Sequence, residues 1–322
     1  MVFVQERESK GNNYLYLDKS MRIRDKVFKA SKYLGKKDDF TKARIKEEMK
    51  KFEIEADKKI LSLVVKKAQK LYNLAYPISL EEIRKIEEMN LKYREIRRSL
   101  SKKDWEDVKL RFVANFVFES NALEGNSLTL KNFSDIVFEN RVSNSADLRE
   151  VYDARNSYSV FSHLLTSRRE ITESFIIDLH KKIVKNIDAR IGYKKIPNFL
   201  LGINVKLTAP ENVAQEMKKL LRWYNENQEK IYPIDLAFKF HHRFERIHPF
   251  SDGNGRVGRM LLNYILIKQG YFPIILRKMQ RAKYLKALQA ADHNQFIPLM
   301  RFALAKTKET YSKFFAVYHK YV

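Results

Sequence analysis

Cysteine does not occur anywhere in the 322 residues, so no disulfide framework can underlie the fold. The first residues, MVFVQERESKG, lack the basic-then-apolar layout of a secretory leader, and a cytoplasmic location is the expectation. Long apolar runs are missing as well. Hydrophobic residues make up 44% of the chain, but Lys, Arg and Glu interrupt them well before the roughly 18 residues needed to span a bilayer, so no membrane partner is expected. Internal repeats, low-complexity tracts and proline-rich linkers are absent too, which leaves room for one large domain or two smaller ones. Negative charge is scarce: 39 Asp and Glu stand against 63 Lys and Arg, a formal charge of +24. Such an excess attracts nucleotides, nucleic acid or acidic protein surfaces, and it equally fits a solubilising, lysine-rich surface laced with ion pairs.

What is present reads first as a short β-rich stretch. Val2 to Glu8, Tyr14 to Ile23 and Val27 to Leu34 are rich in aromatic and β-branched residues and are divided by Gly11-Asn12-Asn13 and Asp25-Lys26, which predicts a small antiparallel meander within residues 1–40. Its basic, aromatic character fits nucleic-acid contact or, preferably, packing on a neighbouring helix. Residues 41–100 then predict a long helical hairpin. Ile45, Met49, Phe52, Ala56, Ile60, Val64, Ala68 and Leu71 keep helical spacing, and Ser79 with Glu82 is a capping box opening the second helix. Ser101 with Asp104 opens another, whose stripe Trp105, Val108, Phe112 and Phe116 runs on to a glycine stop at Gly125.

Beyond that point the periodicity predicts helices over about 129–139, 144–167, 172–187, 211–227, 234–247, 254–269 and 281–313. One interruption, KKIPNFLLGINVKLT at 194–208, holds two β-prone runs around Gly202 and Asn204 and predicts a lone hairpin in an otherwise α-helical domain.

The segment Ile247 to Arg259, IHPFSDGNGRVGR, concentrates His, Asp, Asn, two Arg and three Gly between two predicted helices. Unpaired backbone N–H groups at the start of the second helix make an anion site, and Gly253 and Gly255 let an anion approach the backbone closely. Arg256 and Arg259 lie three apart on that helix, so both guanidinium groups reach the same region. Gly253, Gly255 and Gly258 also match G-x-G-x-x-G, but a helix precedes them where the dinucleotide fingerprint needs a strand. Glu245 and His248 form an E-x-x-H pair of the di-iron type, yet no second copy exists. His241 and His242 read as helix-face residues, and His248, beside Asp252 and the anion site, as a general base.

Residues His248 to Arg259, HPFSDGNGRVGR, resemble the Fic signature H-P-F-x-[D/E]-G-N-G-R-x-x-R at every defined position. The resemblance extends over about residues 101–305, which places a Fic domain at 101–322, and implies a mainly α fold: a Fic-type helical bundle with one β-hairpin flap, here preceded by the meander and the helical hairpin. It implies transfer of AMP from ATP, with Mg2+, to a Tyr, Thr or Ser hydroxyl of a target protein. His248, Asp252, Asn254 and Arg256 would then be catalytic, His248 as the base and Asp252 as the Mg2+ ligand. Phe250, Gly253, Asn254, Gly255, Arg256 and Arg259 would form the nucleotide site, with Asn254 and the loop amides cradling phosphates and Phe250 packed beneath the loop. Leu200, Leu201, Gly202 and Ile203 would form the flap that docks the target's backbone.

Ser120-Asn121-Ala122-Leu123-Glu124-Gly125 resembles the family's inhibitory motif, [S/T]-x-x-x-E-[G/N], on a helix of about 102–125. That likeness implies that Glu124, one turn from Ser120 and just ahead of Gly125, pairs with Arg259 and keeps it from the γ-phosphate. Relatives often pair, which implies a homodimer. Transfer of another nucleotide, or removal of AMP, by the same site stays open; Gly255 argues against the phosphorylating variant, which carries Lys there. A different class also stays open: a nucleic-acid-binding protein whose Fic-like centre only senses nucleotide.

Overall fold

The computed structural model describes residues 2–23, 26–72, 74, 77–143, 146–198 and 207–321. Two compact units divide the chain, Met1–Tyr72 with Ser79–Leu91, and Asn73–Ile78 with Lys92–Val322. Among the described residues no helix is long and apolar enough to cross a membrane.

In the first unit, β1 (Phe3–Ser9), β2 (Asn12–Ile23) and β3 (Lys26–Lys36) form an antiparallel sheet in sequence order, with a bulge at Leu15/Tyr16. Alternation along β2 sends Leu15, Leu17, Lys19 and Met21 inward, each at most 5% exposed. That face packs on α1 (Lys42–Leu71), whose Phe52, Ala56, Ile60 and Val64 are buried on the stripe the periodicity predicts. The buried Lys19 ammonium is neutralised there by Glu53 at 3.1 Å and Asp57 at 2.7 Å, both on α1. The sheet therefore has the helix partner its composition fits. The other face of β2 carries Tyr14 and Tyr16, whose rings meet Tyr33.

α2 (Leu80–Ser99) follows, opened by Ser79, whose Oγ accepts from the Glu82 N–H at 3.2 Å. In the second unit come α3 (Lys102–Leu123), α4 (Leu130–Phe138), α5 (Leu148–Leu164), α6 (Glu173–Ile183), α7 (Val213–Asn227), α8 (Pro233–Ile247), α9 (Asn254–Lys268), α10 (Arg281–Asp292) and α11 (Phe296–Thr310). The Oγ of Ser101 accepts from the Asp104 N–H at 3.1 Å and starts α3. Gly125, at φ +101°, ends it in a conformation that L side chains rarely adopt. α9 is the central helix. All but three of its fifteen residues, Gly255, Ile267 and Lys268, are buried, against α8, α3, α5 and α6. The stacked rings of Phe116 and Phe161, 3.9 Å between centroids, bind α3 to α5.

Two expectations need adjustment. The single helix expected over 281–313 is two, broken at Asn294, which takes a left-handed φ of 60°. Asparagine reaches that region at low cost because its amide bonds locally, and the unbroken apolar periodicity around it hides the turn. Of the hairpin expected at 194–208, residues 199–206 lie outside the described residues, and with them the flap positions Leu200, Leu201, Gly202 and Ile203; the described part, 194–198 and 207–208, carries no strand.

Candidate active site

The site is the turn between α8 and α9. Two left-handed residues bracket it, His248 at φ 48° and Gly253 at φ 78°. Gly is needed at 253 for that φ, and a Cβ there would also approach Val184 Cγ1 to 3.1 Å. At His248 a non-glycine residue holds the strained region, and the surroundings pin it: its N–H still reaches the Phe244 carbonyl at 2.9 Å, and Pro249, next in line, cannot continue the helix.

Between these points the loop is clamped from below. Phe250 is wholly buried, its ring stacked on His180 of α6 at 3.8 Å and nearly parallel. His180 Nε2 lies 3.2 Å from the Asp252 carbonyl. The Asn254 side chain closes the turn on itself, its Oδ1 accepting from the Phe250 N–H at 2.8 Å and its Nδ2 donating to the Phe250 carbonyl at 2.7 Å. Asn198 donates to the carbonyls of Phe250 and Ser251, and the Lys194 N–H to that of Pro249. Both polar ends of the Asn254 amide thus meet the loop's own backbone, and the Phe250 ring is packed beneath the loop, as the resemblance implies.

The His248 imidazole is held neutral. Burial pushes its pKa down to about 4, with the Lys194 ammonium adding to the effect and Glu124 opposing it. A neutral ring nitrogen can accept a proton, which is the requirement for a base.

Arg256 is 3% exposed and forms an ion pair with Asp153 of α5, with Asp252 at 3.4 Å on its other side. Burial pushes its pKa down to about 10, so the guanidinium stays charged. Asp252 also takes Arg149 of α5 at 2.5 Å and caps the Gly253 N–H at 2.6 Å. No cluster of three or more His, Cys, Asp or Glu suited to a metal occurs among the described residues. Asp252 shares the Arg256 guanidinium with Asp153, and a hard cation that takes one or two carboxylates plus phosphate oxygens is compatible with it.

Arg259, one turn further along α9, is 2% exposed. Its Nε donates to Ser120 Oγ at 2.8 Å and one terminal nitrogen to the Ser120 carbonyl at 2.9 Å, while the other reaches Glu124 at 2.7 Å. Burial would raise the Glu124 pKa, but the Arg259 charge prevails and holds it below the usual carboxylate value. The carboxylate lies against Gly255, where a Cβ would collide with Glu124 Oε1 and come within 2.8 Å of Arg259. The acid thus covers the first turn of α9, where an anion would approach. Glycine at 255 leaves that place open.

Of the residues singled out by sequence, His248, Asp252, Asn254, Arg256, Arg259, Ser120 and Glu124 converge on this turn. Asp153, Arg149, His180, Lys194 and Asn198 also serve it and were not foreseen. Arg149 and Asp153 stand four apart on one helix face, but Glu150 and Arg155 beside them have the same chemistry, so spacing alone could not choose. His180 is a lone histidine in an amphipathic helix and carries no signal of its own.

Residues 170–266 match the model of the Fic/DOC family. Protein adenylyltransferase Fic of Drosophila persimilis is 29% identical over 198 residues, which cover 60% of this chain and 39% of that protein; its Drosophila melanogaster counterpart is 28% identical, over 60% and 40%. The chain thus spans about two fifths of the length of these curated relatives. A Fic domain containing signaling protein from Bacteroides thetaiotaomicron superposes with a TM-score of 0.65 at 26% identity, over 70% of this chain and 95% of that one. Fic-1 from C. elegans shares the fold, with a TM-score of 0.62 at 24% identity over 72% and 70%. The stretch similar to the Fic/DOC model, residues 170–266, contains the whole α8–α9 turn.

Proposed function

We propose that the chain is a protein adenylyltransferase that moves AMP from ATP onto a hydroxyl of a target protein and is restrained by Glu124. The observation that carries the reading is the Glu124 carboxylate seated on Arg259 and Gly255, beside a neutral His248. An anion is already held at the place where a nucleotide phosphate would be gripped.

In this reading the amides of Gly253 to Arg256 and the positive end of α9 hold the phosphates. Arg256, positioned by Asp153, offsets charge that builds on the leaving group. The target's Tyr, Thr or Ser hydroxyl loses its proton to a ring nitrogen of His248 as its oxygen attacks the α-phosphorus, and the bond to the β-phosphate oxygen breaks to release pyrophosphate. Asp252 would hold Mg2+, which when bound would neutralise charge on the α- and β-phosphates. Turning Asp252 toward a cation means exchanging Arg149, whose side chain is 59% exposed. Pairing with Glu124 keeps Arg259 from the γ-phosphate, and ATP then lies badly for attack. We assign residues 101–322 to this function, with 102–125 as the inhibitory helix. Target docking is assigned to Leu200, Leu201, Gly202 and Ile203 on the resemblance alone.

The test is incubation of the wild type, Glu124→Gly, and Glu124→Gly with His248→Ala, with ATP labelled on the α-phosphate, Mg2+ and a cell extract. Label on protein in the first variant and its loss in the double variant are the expected result, with an added mass of AMP on the modified peptide. A mass of another group would assign a different transfer to the same site. No label with any of the three proteins would overturn the proposal.

A further inference from the structure

A cavity of about 600 Å³ lies in the second unit, away from the α8–α9 turn. Its size falls within the usual range for small-molecule sites, roughly 300–1,000 Å³. Two features of the lining are unusual together. Five cations face it, Arg94, Arg97, Lys109, Arg168 and Lys268, and no Asp or Glu does. Tyr93, Trp105, Phe112, Tyr271 and Phe315 supply aromatic surface between them.

The charges are only partly answered elsewhere. Lys109 meets Glu106 at 2.7 Å and Lys268 meets Glu170 at 2.7 Å. Among the described residues no carboxylate stands within ion-pair distance of Arg97 or Arg168, both exposed. Tyr93 and Trp105 are part-exposed lining residues that meet edge to face at 5.7 Å, Tyr93 being backed in turn by Phe272 and Phe315. Guanidinium groups suit phosphate oxygens by their planar, forked donors, and part-exposed rings offer a face on which a flat heterocycle can stack.

We propose that this cavity binds a nucleoside phosphate, with the base against Trp105 and Tyr93 and the phosphates on Arg97 and Arg168. A purely apolar ligand would leave those cations unanswered, and a bare inorganic anion would leave the rings unused. The site is separate from the α8–α9 turn, though it touches the far ends of the two helices that carry Glu124 and Arg259. Lys109 stands fifteen residues before Glu124, roughly 22 Å along the α3 axis at 1.5 Å per residue. The proposal concerns binding and does not depend on the transferase reading.

Trp105 makes the test direct, because the chain has two tryptophans and the other, Trp223, is on α7 beneath Arg243. In the Trp223→Phe protein the intrinsic fluorescence reports on Trp105 alone. Titration with ADP is expected to change that emission saturably. Pyrophosphate and adenosine, which supply the two halves separately, should each need at least ten times the concentration. Arg97→Glu with Arg168→Glu, two exposed positions, should abolish the response while leaving the thermal unfolding profile intact. No response to ADP, an equal response to pyrophosphate, or a response that survives the double charge reversal would each overturn the proposal. Transfer of label from ATP, measured on the same double variant, reports separately on the α8–α9 site.

Discussion

If the proposed transferase is restrained as argued, replacing Glu124 by glycine should raise its activity, and the size of the effect can be worked from the contact. The Arg259 side chain is 3% exposed and that of Glu124 46%, so one end of the pair is desolvated and the other wet. A bridge of that kind falls between an exposed pair, worth about 0–1 kcal/mol, and a buried one, costing about 3–5 kcal/mol to break. A value of about 1–3 kcal/mol corresponds to a gain of roughly 5- to 150-fold in rate. Arg259 would not drift after the change, because its Nε and second terminal nitrogen remain on Ser120. The freed nitrogen is then aimed at the space above the first turn of α9. Glu124→Gln, which keeps the shape and removes the charge, should lie between wild type and glycine. The assay is incorporation of label from ATP into the enzyme itself at saturating Mg2+, alongside ATP affinity. Equal rates for wild type and Glu124→Gly, with ATP bound by both, would refute the argument that this carboxylate holds the site closed.

His248→Ala should lower transfer by about 10²–10⁴-fold, the usual contribution of a positioned base, while ATP affinity measured by calorimetry stays within a few-fold of wild type. Because burial sets the His248 pKa at about 4, the acid limb of kcat/KM should lie well below the ordinary histidine value of 6.5, and Glu124→Gly should move it lower still, since Glu124 raises that pKa. Asn254→Ala removes both side-chain bonds to the Phe250 backbone; at about 1 kcal/mol each, it should depress Tm by several degrees and cut kcat more than it raises KM. Acid should destabilise the fold. His180, His241, His242 and His248 all have lowered pKa values, so the unfolded chain binds protons that the folded one refuses. Stability is full above pH 6.5 as far as these groups go and is lost as pH falls below it, which thermal unfolding across pH 4–8 would record; a Tm flat from pH 6.5 to 5 would contradict it.

Much of this arrangement could be read from the chain because helix periodicity and the HPFSDGNGRVGR segment are local signals. A stripe such as Trp105, Val108, Phe112 and Phe116 declares its own helix, and a glycine pair at a helix start declares an anion site, without knowledge of any partner. The parts that could not be read depend on residues distant in sequence. Asp153 stands 103 positions from Arg256, and nothing in its own segment sets it apart from other surface acids. His180 becomes part of the loop's support only because Phe250 lies flat on it. The break at Asn294 was hidden for the opposite reason: the apolar spacing on both sides continues through it, and only the backbone angle reveals the turn.

In the proposed restraint, the surroundings of Arg259 bear on how a single half-exposed glutamate would hold it. Glu245 Oε1 lies against Gly258, next to Arg259 in the chain, and burial pushes its pKa up to about 8, against the pull of Arg259 itself. His241 is pushed down to about 3, chiefly by burial and secondly by the same arginine. Burial favours the uncharged form of both, and among the described residues the carboxylate in an ion pair with Arg259 is that of Glu124. Gly258 keeps this neutral layer close, since a Cβ there would collide with Glu245 Oε1 and approach His241 Nδ1 to 3.0 Å. A permanently ionised acid at 245 would answer the Arg259 charge and weaken its hold on Glu124 and on any phosphate alike. The low dielectric of the core favours the uncharged form of Glu245 and leaves the arginine's charge to Glu124, on the face where the proposed phosphate would bind.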